Sequence, residues 1–321
     1  MTLIRLFLLV LASSMSLPAL AADDYPTKPI RILVGYTAGG AVDVVARTIG
    51  QQLAATLGQP VIIENKPGAG TNIAVRSLID SPPDGYTLMM TANALASNMA
   101  LYHPAPFDAE RDVVPVSMVG RVPVVIAAGA ASEFTSLAKL VEIARAKPGT
   151  VNHATPGNGS TPHLAVELFA HAAGIQLAHV PYKGGSQAIM DVLGGQLPLV
   201  AVNALEVVPH VKAGKLRVLA VMSAARTATL PDVPTIAQSG YPGFEASVWY
   251  GVIAPAKTPQ AVVDRLHEAI QKALASPEVQ KRISDVGGEV TPGSAAQFKA
   301  LIHDERVRYE KLVREAHIRL D

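Results

Sequence analysis

Short apolar runs alternate along this chain with stretches whose apolar residues recur at three- and four-residue steps. Ile30–Val34 is the first such run and predicts a buried strand. Val42, Val45, Ala46, Ile49, Leu53 and Leu57 then share one face of a 3.6-residue period, which predicts an amphipathic helix. Val61–Glu64 predicts the next strand, Thr71–Ile79 a helix and Tyr86–Met90 a strand after the Asp84-Gly85 turn. Val116–Ala128 reads as one long extended segment. The alternation then restarts, with helices expected at Ser136–Ala146, from Pro162 to about Ala173, at Ser186–Leu193 and near Glu206–Ala213. Strands are expected at Val151–Ala154, Leu177–Val180, Pro198–Val202 and Leu216–Met222. A proline-rich connection (Pro231, Pro234, Pro242) leads to a strand at Val248–Ala254, and the chain from Pro259 onward reads as helical. Such alternation predicts an α/β protein with a mostly parallel sheet and helices on its faces. The restart near residue 125 predicts two α/β lobes, joined by extended crossings near Val122 and Trp249.

Composition sharpens this picture. At 321 residues, with 49% hydrophobic and 17% charged, the chain is long enough for two cores and too apolar for a disordered protein. The first residues have the pattern of a secretory leader: Arg5, the apolar stretch Leu6–Ala12, and the small-residue site Ala19-Leu20-Ala21. Cleavage after Ala21 leaves 26 basic against 26 acidic residues, which excludes an electrostatic case for nucleic acid or an anionic membrane. The chain has no Cys, so an exported product relies on its core alone, as suits a large periplasmic protein.

Two glycine-rich loops carry the candidate chemistry. Gly35-Tyr36-Thr37-Ala38-Gly39-Gly40-Ala41-Val42-Asp43 joins the first strand to the first long helix. Thr155-Pro156-Gly157-Asn158-Gly159-Ser160-Thr161-Pro162-His163 does the same in the second half. A helix start leaves N–H donors unpaired and carries partial positive charge, so it attracts anions. The first helix is expected to begin after Gly39-Gly40, with the N–H groups of Ala41, Val42 and Asp43 free and Asp43 capping or ordering the loop. The second is expected to have Thr161 as cap and Pro162 in the first helical position. The N–H groups of Gly159, Ser160, Thr161 and His163 and the two hydroxyls would be its donors. Neither loop is a P-loop or a dinucleotide fingerprint. Ser160 and His163 invite a hydrolase reading, but their flanks do not form a nucleophile elbow, and no catalytic residue is assigned. His153, His163, His171 and His179 have no metal-ligand spacing, so neither metal nor cofactor is expected.

These loops and several further runs resemble the Bug receptor family, the substrate-binding receptors of tripartite tricarboxylate transporters. The runs include Tyr25-Pro26, Val61-x-x-Glu64-Asn65-Lys66-Pro67-Gly68-Ala69-Gly70, Gly157-x-Gly159-Ser160-Thr161-Pro162-His163-Leu164 and Val180-Pro181-Tyr182-Lys183-Gly184-Gly185. Lys212-Ala213-Gly214-Lys215-Leu216-Arg217, Leu230-Pro231-Asp232-Val233-Pro234-Thr235 and Trp249-Tyr250-Gly251 extend them over nearly all of the chain after the leader. The resemblance implies a two-lobed, type II-like periplasmic binding protein fold that captures a small organic acid between its lobes and delivers it to a membrane permease. It divides the chain into a signal peptide (1–21), lobe 1 (22–124 plus 252–321) and lobe 2 (125–251). By position it implies ligand contacts from Tyr36, Thr37, Ala38, Gly39, Gly40, Asp43, Thr91 and Asn93 on one side. Thr155, Gly159, Ser160, Thr161 and His163 would line the other, with Asn203 as a further polar contact. The family often has Phe-Pro at Tyr36-Thr37 and Asp-Asn at Val202-Asn203. The second departure implies a pocket without a carboxylate at its far end, less suited to an amine. A sensor or adaptor role shares the binding step and differs only in the membrane partner.

Overall fold

The computed structural model describes residues 25–285 and 288–315; the expected leader lies outside them. The first half opens with β1 (Ile30–Val34), α1 (Ala41–Leu57), β2 (Val61–Asn65), α2 (Asn72–Ile79), β3 (Thr87–Ala92) and α3 (Ala94–Leu101). A 17-residue strand, β4 (Val113–Gly129), leads into α4 (Leu137–Ala146), β5 (Asn152–Thr155), α5 (Thr161–Ala173) and β6 (Ala178–Pro181). Then come α6 (Gly185–Leu193), β7 (Leu199–Asn203), α7 (Ala204–Lys212) and β8 (Leu216–Val221). The chain returns through β9 (Ser247–Pro255) and ends in α8 (Gln260–Leu274), α9 (Pro277–Ser284), β10 (Glu289–Gly293) and α10 (Ala295–Glu315).

The sheet runs β2-β1-β3-β9-β4-β7-β5-β6, with β8 and β10 also paired to β4. It is mixed rather than mostly parallel. β1 pairs in parallel with β2 and β3, and β5 with β6 and β7, but every pairing of β4 and β9 is antiparallel. The strand–helix units do build parallel sheets on each side; the two long central strands reverse direction between them. β4 serves both sides. Val113–Pro123 pair with β9, and from Val124 onward the same strand pairs with β7 and β8.

Periodicity explains the packing. Val42, Val45, Ala46, Ile49 and Leu53 of α1 are all buried, and each contributes about 1.5–3 kcal/mol if a large side chain is fully removed from water. α1 stops at Gly58 and α5 at Gly174, both left-handed (φ 68° and 62°), the conformation glycine adopts at least cost. β3 and β7 are buried at every position and deliver their C-terminal ends to the space between the two glycine loops.

Candidate functional site

The first glycine loop enters α1 as expected, with Gly40 as the residue before the helix. Asp43 reaches back from the first turn. Its carboxylate accepts from Gly39 N–H (2.9 Å), Arg47 Nε (2.9 Å) and Asn65 Nδ2 (2.9 Å). Burial raises its pKa, but those hydrogen bonds and the Arg47 charge outweigh burial and hold it below the usual carboxylate range. Asp43 thus orders the loop from beneath. The second loop differs from expectation by one position: α5 begins at Thr161, and Ser160 is the cap. Ser160 Oγ accepts from His163 N–H (3.4 Å) and donates to Gly157 O (2.7 Å). The shift follows from Ser160, which has the extended backbone (ψ 151°) that a cap requires.

The His163 ring is not turned to Ser160. Its Nδ1 accepts from Gly159 N–H (3.3 Å), and the ring stacks on His179 at 4.0 Å between centroids. His153 lies 5.2 Å beyond, forming a column of three imidazoles beneath the loop. Burial, reinforced by the neighbouring rings, drives His153 down to about 3 and His163 to about 2. Burial alone brings His179 to about 4. All three are neutral at ordinary pH. Among the described residues no cluster has the ligands for a metal ion.

A cavity of about 20 Å³ lies between the loops. Space of that size holds about one water. Tyr36, Gly40, Ala41, Val42 and Ala92 line it from one half. Pro156, Ser160, Thr161, Pro162, Gly185, Asn203 and Glu206 line it from the other, with Val248 and Tyr250 contributed by β9. Of the expected residues, the structure brings together Tyr36, Gly40, Ser160, Thr161 and Asn203. A second cavity of about 180 Å³ shares Tyr36 and Pro156 and is also lined by Gly70, Thr71, Asn158, Tyr182 and Lys183.

The other expected residues have different surroundings. Thr37 bonds across the cleft, its N–H to Lys183 O (3.1 Å) and its hydroxyl with Ser186 Oγ (3.3 Å). Ser186 Oγ also donates to Ala38 O at 3.3 Å. Gly39 is tied to Asp43. Thr91 is buried, with its hydroxyl on Ala92 O (3.5 Å). Asn93 turns away from the cavity: its amide donates to Glu305 Oε2 (2.9 Å) and Tyr309 Oη (3.2 Å), and it accepts from Trp249 N–H (3.0 Å). Thr155 pairs with His179 Nε2 (2.6 Å). Gly159 is gripped by α3, whose Ser97 Oγ donates to its carbonyl at 2.8 Å.

Two features went unanticipated. Gly184 and Gly185 begin α6 where a Cβ would collide with the Thr37 hydroxyl and the Glu206 carboxylate, so glycine is dictated there by close approach. Glu206, in the first turn of α7, supplies the carboxylate whose loss was expected at Val202. Its Oε1 accepts from Asn203 Nδ2 at 3.0 Å, and its Oε2 is buried without a partner. Asn203 Oδ1 and Tyr250 Oη are likewise buried and unpartnered. Burial pushes Glu206 up to about 7, against the pull of Asn203 and the N–H of Ala41. The N–H groups at the α1 start are therefore not all free, because one faces this side chain. The Asn203-x-x-Glu206 spacing, a capping-box pattern, was the available signal.

This geometry is that of a two-lobed binding protein with a cleft between helix starts. The model of the tripartite tricarboxylate transporter family receptor matches residues 45–318, and the chain belongs to that family. It is 37% identical over 302 residues to BugT of Bordetella pertussis, covering 94% of this chain and 93% of the relative. Among solved structures it is similar to the periplasmic binding protein BugD, with 32% identity, a TM-score of 0.89 and coverage of 92% of this chain and 99% of that one. It is also similar to Rpa4515 of R. palustris with adipate, with 32% identity, a TM-score of 0.88 and the same coverage of 92% and 99%. The expected fold, a two-lobed periplasmic binding protein of the Bug receptor type, is the observed one. No helix of the described residues is long and apolar enough to cross a membrane.

Proposed function

We propose that this protein is a periplasmic receptor that captures a small organic acid between its lobes and passes it to the permease of a tripartite tricarboxylate transporter. One observation carries the reading. Polar atoms of Asn203, Glu206 and Tyr250 are buried without partners around the cavity where the Ser160-Thr161 start of α5 faces the start of α1. A buried polar atom left unpaired costs about 1–3 kcal/mol, so such a cluster is economical only if something binds there. Family membership and the adipate carried by a similar receptor support an acid as that ligand. Thr161 and the α5 helix start supply neutral donors for a carboxylate. The protein binds and releases without catalysing a reaction. Residues 1–21 direct export and are removed. Lobe 1 (22–124 plus 252–321) and lobe 2 (125–251) part at the crossings to admit ligand. Ligand contact by Thr37, Ala38, Gly39, Asp43, Thr91, Asn93, Thr155, Gly159 and His163 is indirect in this reading: they hold the loops that touch it.

The test is a thermal-shift titration of the mature chain against mono-, di- and aromatic carboxylates. At least one should raise the melting temperature with concentration, and Ser160→Ala with Thr161→Ala should weaken the response. Silence across the whole panel would overturn the reading. Capture of the permease from detergent-solubilised membranes, stronger with ligand than without, tests delivery.

A further inference from the structure

Glu206 is explained only in part by its place in α7. It stands three residues after Asn203, and one carboxylate oxygen accepts from the Asn203 side-chain Nδ2. The second oxygen is not used. It is buried without a hydrogen-bond partner, on a residue that lines the cavity shared by both halves. No Lys, Arg or His lines that cavity, and among the described residues no cation lies within ion-pair distance of Glu206. The titratable groups facing it are the phenols of Tyr36 and Tyr250, both pushed upward by burial and by the Glu206 charge and so neutral. Apart from the Ala41 N–H at the start of α1, nothing positive faces this buried carboxylate; that is costly, and the cost falls when a cation enters.

The lining carries groups of two kinds. The Ser160 hydroxyl and N–H both donate to Gly157 O, so Thr161 supplies the neutral donors at the start of α5, suited to an anion. Beside them are Glu206, Asn203 Oδ1 and Tyr250 Oη, of which the first two only accept when Glu206 is ionised. A plain dicarboxylate would set its second anionic group against Glu206. A ligand with one carboxylate and one ammonium satisfies both kinds of group. Resting on the receptor reading above, we propose that Glu206 selects a zwitterionic acid, the ligand's protonated amine pairing with Oε2 while its carboxylate meets the Ser160-Thr161 loop.

The pH dependence has a definite sign. Glu206 lies near 7 without a cation, so the ionised form grows from a minor to a major species between about pH 6 and pH 8. Affinity for an amine-bearing ligand should rise about tenfold over that interval, in proportion to the competent fraction. If a protonated Glu206 instead donated to the ligand, affinity would fall as pH rises.

The experiment uses the mature chain and calorimetric titration with matched pairs: 4-aminobutyrate and butyrate, leucine and 4-methylpentanoate, phenylalanine and 3-phenylpropionate. The inference expects at least one amine-bearing member to bind about tenfold or more tightly than its partner, with affinity rising with pH. Glu206→Gln keeps a side chain of the same shape and should erase that preference; melting of the variant with and without ligand verifies that it folds. Equal or tighter binding of the amine-free acids, or affinity falling as pH rises, overturns the inference and leaves the receptor reading standing. Failure of every acid, with or without an amine, overturns both.

Discussion

The histidine column beneath the second glycine loop predicts a specific response to acid. His153 is fully buried and His163 almost so, and their pKa values fall to about 3 and about 2 from an ordinary 6.5. The native state keeps them neutral, while the unfolded chain takes up protons below 6.5. Their effect is therefore absent above that value and costs stability as pH falls. Going from about pH 7.5 to about pH 5.5, each costs about 1.4 kcal/mol, or about 3 kcal/mol together. His179 acts in the same direction. Glu206 opposes them. Its native pKa is raised, so the folded state gains protons as pH falls and recovers about 2 kcal/mol over the same interval. Glu167, also raised by burial, adds to that side. His179, at about 4, costs the same again, so the three rings together cost about 4 kcal/mol; the wild-type protein should thus lose about 2 kcal/mol, whereas Glu206→Gln should lose about 4 kcal/mol. Urea unfolding at the two pH values, followed by Trp249 fluorescence, measures both. Equal pH dependence in the two proteins would refute the role given to Glu206. A His153 or His163 ring titrating near 6.5 in the folded protein by NMR would refute the histidine argument.

Three further outcomes follow from the packing. Gly251→Ala would drive a Cβ into the Phe298 ring, which packs edge-on against Trp249, and should cost about 1–3 kcal/mol by chemical denaturation, with a shift in emission of the single Trp. Asp43→Ala leaves Gly39 N–H without its acceptor and takes from Asn65 Nδ2 one of its two, the other being Tyr36 O, so about 1–3 kcal/mol should be lost and the 36–40 loop should become a site of protease cleavage. Asn93→Ala strands the Trp249 N–H and frees Glu305 and Tyr309; loss of about 1–3 kcal/mol should come with faster hydrogen exchange in α10 and unchanged exchange in α5.

Much of the fold was legible because most elements carry a clean period. Ile30–Val34 and the apolar face of α1 were readable residue by residue, and Gly174 marked the end of α5. α3 was not readable: Ala94–Leu101 is apolar on nearly every side and buried almost throughout, so it has no face for a period to reveal. β10 contains Pro292 and Gly293 and shows no alternation. Strand direction was misjudged because side-chain alternation does not record it; β4 and β9 run antiparallel for reasons of topology. The site was legible as two helix entries. Glu206 was passed over because a helical period assigns it only a place in α7, and its approach to the first loop depends on Gly185 yielding room, a contact between distant parts of the chain. Asn93 was misplaced for a similar reason: its partners, Glu305 and Tyr309, lie more than two hundred residues away.

β4 belongs to both halves at once, changing partners between Pro123 and Val124. Cutting the molecule into separately expressed pieces would strip one piece of its central strand and leave a raw, aggregation-prone margin of unpaired amides. Any parting of the two halves would bend backbone that both of them share.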